Sequence, residues 1–213
     1  MSGCEYPDDL WKEARSRYAR MIGLANAHST PQDTVVVDLG SGNHPVSRHV
    51  RCKMAIKIDS RPNIRPDIVC DLNRGIPLRS GVCDIVIAGE LLEHICCSKR
   101  FLIEIKRILR NGGYLLLSVP NVCSLSYRIL WALGRVPPLA AKADFTYSPP
   151  GRGSGHVRDY TFKELENVLA NLDFDVLRST TNGIFYRKLS VPSMLIPKTF
   201  GQKIIVLARN RKW

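Results

Sequence analysis

Apolar residues change their spacing along the chain, from helical steps to short continuous runs. Residues 8–26 place apolar side chains three and four positions apart, which predicts an amphipathic helix. Short β-branched runs follow, of the kind that form strands buried on both faces. The strands predicted from these runs cover residues 34–39, 54–59, 67–72, 83–88, 114–119, 174–179 and 203–208.

Helical segments alternate with these runs. A strong helix is predicted before 114–119, ending at Asn111-Gly112-Gly113, where a left-handed cap costs little. A second is predicted over 122–133, and a third opens at the capping box Thr161-Phe162-Lys163-Glu164. The alternation predicts an α/β fold, a doubly wound, Rossmann-like, seven-stranded and mostly parallel sheet with helices on both faces.

The length of 213 residues fits one domain over 1–213. We divide it into an N-terminal helix within 1–30, a first half over 34–119, and a second half over 120–213 with an insert over 120–160. The hydrophobic fraction of 45% is enough for a full core, and no run approaches the ~20 apolar residues of a membrane span. The acidic start does not resemble a signal peptide, and the seven cysteines lack C-x-x-C spacing. We therefore expect a cytoplasmic protein with reduced thiols.

The charge balance is strongly basic. Lys and Arg number 31 against 19 Asp and Glu, a formal net charge of +12. This favours an acidic partner, such as nucleic acid, a phosphorylated substrate or an anionic membrane, although an ordinary basic surface has the same composition.

A glycine-containing motif follows the first predicted strand. Gly40 and Gly42 in Asp38-Leu39-Gly40-Ser41-Gly42 allow a sharp turn and close approach to a ligand, and Pro45 suits the first turn of a following helix. Asp59 ends the second predicted strand, about 20 residues after Asp38, where an acidic residue accepts hydrogen bonds from ribose hydroxyls. Pro45 replaces the last glycine of a dinucleotide fingerprint, and no phosphate-binding P-loop motif occurs.

These motifs, taken in order over 34–180, resemble class I S-adenosylmethionine-dependent methyltransferases. The similarity is closest to the group acting on small molecules, lipids and sugars. It is carried by the following segments: Asp38 to Gly42, Asp59, Asp71-Leu72, Cys83 to Val86, Glu90-Leu91-Leu92-Glu93-His94-Ile95, Arg107 to Gly113, and Gly155-His156-Val157-Arg158-Asp159-Tyr160-Thr161.

The resemblance implies that S-adenosyl-L-methionine is the cofactor, that 34–119 is the cofactor-binding half and that 120–213 is the substrate side. Asp38, Gly40, Ser41 and Gly42 would face the methionine part of the cofactor, and Asp59 with Ser60 would hold the ribose. Asp71 and Leu72 would lie beside the adenine, and Glu90 with Leu91 near the sulfonium methyl. The sequence departs from the family's pattern at His44, where a third glycine is frequent, and at Leu172-Asp173-Phe174, where a glycine is usual.

Methyl transfer from a sulfonium depends largely on positioning, but a hydroxyl acceptor must also lose a proton. His94 and His156 are the candidate catalytic bases, each also readable as a structural or loop histidine. Arg152 and Arg158 could pair with an anionic acceptor, and Tyr127 and Trp131 could line its pocket. The sequence shows no cluster with metal-ligand spacing, so no metal is expected.

We therefore expect a methyltransferase for a small-molecule or lipid/glycan-linked, anionic acceptor. The alternative is an RNA methyltransferase, motivated by the net charge of +12, with nucleic acid the less favoured partner. A cofactor-binding protein without activity is a third reading. Residues 185–200 mix basic and apolar side chains and could rest on an anionic membrane. Oligomeric state and acceptor atom are left open by the sequence.

Overall fold

The computed structural model describes residues 8–137, 155–186 and 189–211. Arg152 and residues 138–154 of the expected insert lie outside this part of the chain. The helices are α1 (Asp8–Asn26), α2 (Ser98–Ile108), α3 (Leu125–Ala132) and α4 (Phe162–Ala170). The strands are β1 (Val35–Leu39), β2 (Met54–Asp59), β3 (Ile68–Val69), β4 (Cys83–Gly89), β5 (Leu109–Pro120), β6 (Phe174–Thr181), β7 (Ile184–Tyr186), β8 (Leu189–Val191) and β9 (Lys203–Asn210).

Seven strands form one sheet in the order β3-β2-β1-β4-β5-β9-β6. The first five pair in parallel, whereas β9 is antiparallel to both β5 and β6. This confirms the predicted Rossmann-like, mostly parallel sheet. Because β9 runs backwards, its first residue, Lys203, pairs with Pro120 and lies at the edge where the parallel strands end.

Helices cover both faces of the sheet, because successive strand residues point to opposite sides. One core cluster joins alternate residues of β1, β4 and β5 to α2 and α4, with Phe101, Leu102 and Leu165 at its centre. The other joins the remaining strand residues to α1 through Met21 and Ala25. No described helix has the length and hydropathy needed to cross a membrane.

The segment between β1 and β2 differs from the expectation. The sequence pattern puts Pro45 in the first turn of a helix, but only the 3-10 turn Val46–His49 follows it. About 14 residues join the two strands, close to the minimum of about 10–12 for a helical crossover, and the glycine turn takes the first of them.

Two predicted boundaries are also wrong. The third strand is limited to Ile68–Val69 rather than 67–72, although Cys70 still donates its N–H to the Asp59 carbonyl at 3.0 Å. Helix α2 ends at Ile108 rather than at Asn111-Gly112-Gly113, because Leu109 already pairs with Cys83 of β4. Gly112, with φ +74°, therefore lies within an irregular start of β5.

The turn before β6 has the left-handed backbone that the family's glycine would supply. Asp173 adopts φ +56° there. The buried Lys106 ammonium donates to the Leu172 carbonyl at 2.9 Å and to the Asp173 carboxylate at 3.2 Å. These contacts offset part of the strain of a non-glycine residue in this region.

The remaining expectations for the second half are largely met. The capping box is confirmed, since Thr161 accepts a hydrogen bond from the Glu164 N–H at 3.2 Å. Helix α3 is shorter than the predicted 122–133. The long connection between β6 and β9 contains the two-stranded hairpin of β7 and β8 and two 3-10 turns.

Candidate functional site

The glycine turn after β1 folds back over the end of β2. Gly40 and Gly42 have φ of +64° and +60°, a region that favours glycine. The N–H groups of Gly40 and Ser41 both donate to the Ile58 carbonyl, at 2.8 and 3.2 Å. A Cβ on Gly40 would come within 2.9 Å of the Leu91 side chain. Gly40 therefore permits Leu91, from the end of β4, to close over the turn.

Asp38 supports this turn from below. Its carboxylate is 3% exposed and accepts the Ser47 N–H at 2.9 Å, which joins β1 to the 3-10 turn. Burial raises the pKa of Asp38 to about 6, although hydrogen bonds from Ser47 and the charge of Arg17 oppose the shift. Asp38 therefore holds in place the loop that is predicted to face the methionine part of the cofactor.

Asp59 lies at the end of β2 and is 4% exposed. One carboxylate oxygen accepts the Gly42 N–H at 3.0 Å, and the other accepts the Arg61 N–H at 3.0 Å. The Arg61 guanidinium adds contacts of 3.1 and 3.4 Å, one to each oxygen. Burial acts to raise the pKa of Asp59, but the hydrogen bonds from Arg61 and Gly42 outweigh it and lower the pKa. The carboxylate and the glycine turn therefore form one unit.

The other expected cofactor residues lie around this unit. Ser60 is exposed next to Asp59. Asp71 is exposed in the turn after β3, where it accepts the Asn73 N–H at 3.0 Å. The Leu72 side chain is 7% exposed and belongs to the hydrophobic core. Asp71 therefore presents a polar group at this edge, whereas Leu72 supports it from inside.

A cavity of about 340 Å³ adjoins the glycine turn on the side where the predicted helix is missing. It is bounded by the glycine turn, by the 3-10 turn Val46–His49, by β2 and by the loop before β3. Three cations from these segments, Arg48, Lys57 and Arg65, give it a positive lining.

Glu90 begins the segment after β4 with φ +54°, unusual for a residue with a side chain. Its carboxylate accepts from the Lys203 ammonium at 2.5 Å and from the Ser118 hydroxyl at 3.2 Å. Burial acts to raise the pKa of Glu90, but the charges of Lys203 and Arg17 outweigh it and lower the pKa. Glu90 is thus held as an anion at the position assigned to the sulfonium methyl.

Sequence reasoning missed the cations around Glu90. Lys203 also pairs with Glu13 of α1 at 3.3 Å, and Arg17 of α1 reaches the Ser118 hydroxyl at 3.4 Å. Arg17 is 9% exposed. The burial of Arg17 could have been predicted from the sequence, because Arg17 lies three residues after Ala14 and four before Met21, on the apolar face of the predicted helix.

The two candidate bases, distant in sequence, lie together. The ring centroids of His94 and His156 are 4.9 Å apart, and His94 Nδ1 is 3.2 Å from the Gly155 carbonyl oxygen. The Val157 N–H donates to the Glu93 carbonyl at 2.8 Å and fixes the His156 loop against the β4 exit. Ligand atoms of Glu93, His94 and His156 lie within 4.8 Å of one another, a grouping that sequence spacing does not reveal.

Glu93 is not among the candidate site residues predicted from the sequence, yet it is the one acid of this group and is deeply buried. It is 1% exposed, and neither carboxylate oxygen has a hydrogen-bond partner among the described residues. Burial and the negative charge of Glu90 raise the pKa of Glu93 well above its ordinary value.

The expected substrate residues are less clearly grouped. Arg158 is exposed in the His156 loop. Tyr127 is half-buried on α3, and Trp131, one turn later, is 48% exposed. Arg152 lies outside the described residues. Their roles stay predictions.

The sheet topology, the glycine turn and the acid at the end of β2 define the class I methyltransferase type of Rossmann-like protein. A family model described as "Methyltransferase domain" matches residues 10–179. The chain belongs to this methyltransferase domain family.

Individual relatives agree with this membership. A protein of Mycolicibacterium smegmatis named "Probable S-adenosylmethionine-dependent methyltransferase" is 30% identical over 111 residues, or 52% of this chain. The match spans only 35% of that relative's length.

Solved structures share the fold. An S-adenosylmethionine-dependent methyltransferase of Thermotoga maritima gives a TM-score of 0.66 at 15% identity, over 96% of this chain and 94% of that one. The 1,6-didemethyltoxoflavin-N1-methyltransferase of Burkholderia thailandensis, solved with 1,6-didemethyltoxoflavin and S-adenosylhomocysteine, gives 0.58 at 16% identity, over 96% and 82%.

Proposed function

We propose that the protein is an S-adenosyl-L-methionine-dependent methyltransferase that acts on a small-molecule or lipid/glycan-linked, anionic acceptor. The observation that carries the proposal is the joined unit of Asp59 and the glycine turn. A buried carboxylate at the end of β2, tied to Gly42, is suited to the two ribose hydroxyls. Family membership supports the same cofactor.

Glu90 supplies a carboxylate at the exit of β4. Glu90, kept ionised by Lys203, places negative charge where the resemblance puts the transferable methyl. In the reaction the methyl carbon bonds to the acceptor as its bond to sulfur breaks, and neutral S-adenosylhomocysteine leaves.

A hydroxyl acceptor loses a proton in the same reaction, and we assign this step to the His94–His156 pair. The two rings are adjacent, on the segment after β4 and the loop before α4. Arg158, in the same loop as His156, supplies a guanidinium suited to a carboxylate or phosphate on the acceptor.

A lipid-linked acceptor draws support from the segment after β8. Met194 and Leu195 are 84% and 72% exposed in the 3-10 turn Ser193–Leu195, and Lys198 follows. Exposed apolar residues beside a cation favour contact with an anionic membrane surface. Anionic vesicles should co-sediment with the protein, and a Met194→Ser/Leu195→Ser variant should bind them less. Equal binding by the variant would remove this support.

The acceptor class can be tested by methyl transfer from isotope-labelled cofactor to pools of anionic metabolites, anionic glycolipids and total RNA. We expect label in one of the first two pools, with turnover only weakly dependent on salt. Label confined to RNA, with affinity falling steeply as salt rises, would establish the RNA alternative instead. Absence of transfer to every pool, with cofactor binding intact, would favour a binding protein.

A further inference from the structure

The strongest unassigned feature is the group formed by Glu93, His94 and His156. It lies on two segments, the turn after β4 and the loop before α4, which a backbone hydrogen bond from Val157 to Glu93 holds together. All three ligand atoms lie within 4.8 Å of one another, so one ion could contact them all after small side-chain adjustments.

Glu93 carries the second, independent observation. A carboxylate that is 1% exposed, without a hydrogen-bond partner for either oxygen among the described residues, is costly in a folded protein. A bound cation is one of the few partners that satisfies such a group.

The histidines are arranged as metal ligands usually are. His94 Nδ1 is 3.2 Å from the Gly155 carbonyl, so with its proton on Nδ1 it donates there and keeps the Nε2 lone pair for a ligand. A backbone carbonyl holding the second ring nitrogen is the usual support of a metal-binding histidine. His156, whose ring centroid is 4.9 Å away, supplies the second imidazole.

We propose that Glu93, His94 and His156 bind a divalent transition-metal ion such as Zn²⁺, Mn²⁺, Fe²⁺ or Co²⁺. One carboxylate and two imidazoles suit these ions better than Ca²⁺ or Mg²⁺, which prefer oxygen ligands. Three protein ligands leave coordination positions open for a substrate.

This proposal deepens the proposed function and rests on it for its catalytic meaning. Glu93 follows Glu90 by three residues in the segment after β4, so the ion would lie on the same segment to which the resemblance assigns the transferable methyl. An acceptor hydroxyl that binds the ion releases its proton to water more readily. Its oxygen then forms the bond to the methyl carbon as the sulfur–carbon bond breaks. The histidine pair would thus promote deprotonation through the ion.

The test uses the purified full chain, stripped with a chelator and titrated with Co²⁺, whose visible absorption reports its ligands. We expect one ion per chain. Glu93→Gln, His94→Gln and His156→Gln should each weaken binding about tenfold or more. His49→Gln, an exposed histidine outside the group, is the matched control and should bind Co²⁺ normally.

Calorimetry with S-adenosylhomocysteine on the same variants separates this proposal from the proposed function. Undiminished binding of that ligand shows that each variant is folded. No Co²⁺ binding by the parent chain, or binding that all three substitutions leave unchanged, would overturn the metal site while leaving the methyltransferase proposal standing. Co²⁺ binding without any affinity for S-adenosylhomocysteine would support the site and refute its catalytic role.

Discussion

The protonation of the buried Asp38 carboxyl is linked to folding. Its pKa is raised to about 6, so between about pH 4 and 6 the folded chain holds a proton that the unfolded chain has released. The free energy of unfolding should therefore fall as pH rises through this interval, by up to about 3 kcal/mol from this group. Denaturant unfolding of parent and Asp38→Asn across this range measures it. The free energy of unfolding of Asp38→Asn should lack this part of the decrease with pH. If the curves of free energy against pH were parallel for the two proteins, the raised pKa of Asp38 would be contradicted.

Arg61 competes with the expected ligand for Asp59. Each carboxylate oxygen already has two donors, three of the four from Arg61 and one from Gly42. Ribose hydroxyls can donate to Asp59 only if the guanidinium moves away. We expect Arg61→Ala to bind S-adenosylhomocysteine a few-fold more tightly by calorimetry, since the removed contacts are half-exposed and worth only about 1 kcal/mol. Arg211→Ala, which removes a half-exposed pair with Asp175 of β6, is the control. Weaker binding by Arg61→Ala would show that Arg61 holds the cofactor instead.

The contribution to stability of the contact between Leu91, after β4, and the glycine turn can be measured by comparing substitutions at two glycines. Gly40 and Gly81 have nearly the same φ, +64° and +63°, but a Cβ added at Gly40 would lie 2.9 Å from Leu91, whereas one added at Gly81 would meet open space. Both alanine variants should lose about 1 kcal/mol from backbone strain. Gly40→Ala should lose roughly 1–3 kcal/mol more, since Leu91 must move. Equal losses in chemical denaturation would mean that Leu91 does not close the turn.

Most elements could be predicted from the sequence because their signals are local. The strands β1, β4 and β9 are continuous β-branched or aliphatic runs, and Thr161 with Glu164 marks the start of α4. The prediction of a helix after Pro45 is wrong, because the chain that follows the glycine turn forms only the 3-10 turn Val46–His49 before β2 begins. The predicted end of α2 is misplaced because pairing of Leu109 with β4 overrides the cap signal at Gly112.

Only part of the candidate site could be predicted from the sequence, because only part of it is encoded in local motifs. Asp38, Gly40, Gly42 and Asp59 follow a linear pattern, whereas Glu93 and His156 meet only through the tertiary fold. The sequence prediction misses the burial of Arg17 and Lys203, because charged residues are usually exposed to solvent. Only the packing of α1 over the sheet edge buries them.

At the scale of the whole molecule, Lys203 of β9 pairs with Glu13 of α1 and with Glu90 of the segment after β4. Burial acts to lower the pKa of Lys203, but the two carboxylates outweigh it and raise the pKa. Lys203→Met leaves two largely buried carboxylates without their ammonium and should cost about 3–5 kcal/mol of unfolding free energy. Lys198→Met, which removes an exposed pair with Glu166, should cost less than about 1 kcal/mol. Similar losses in denaturant unfolding would show that the network does not hold these elements together.

The central claim is that the crevice beyond β1 and β2 holds an adenosyl cofactor through the Asp59 carboxylate. Isothermal titration calorimetry with S-adenosylhomocysteine tests it most directly, on the parent chain, Asp59→Ala, and Asp67→Ala as a control acid on the same side of the sheet. Loss of hydrogen bonds from two hydroxyls to a charged acceptor should weaken binding by Asp59→Ala at least about tenfold. Asp67→Ala should bind as the parent does. Equal heats and affinities for the parent and Asp59→Ala, or no heat from any of the three, would contradict the account.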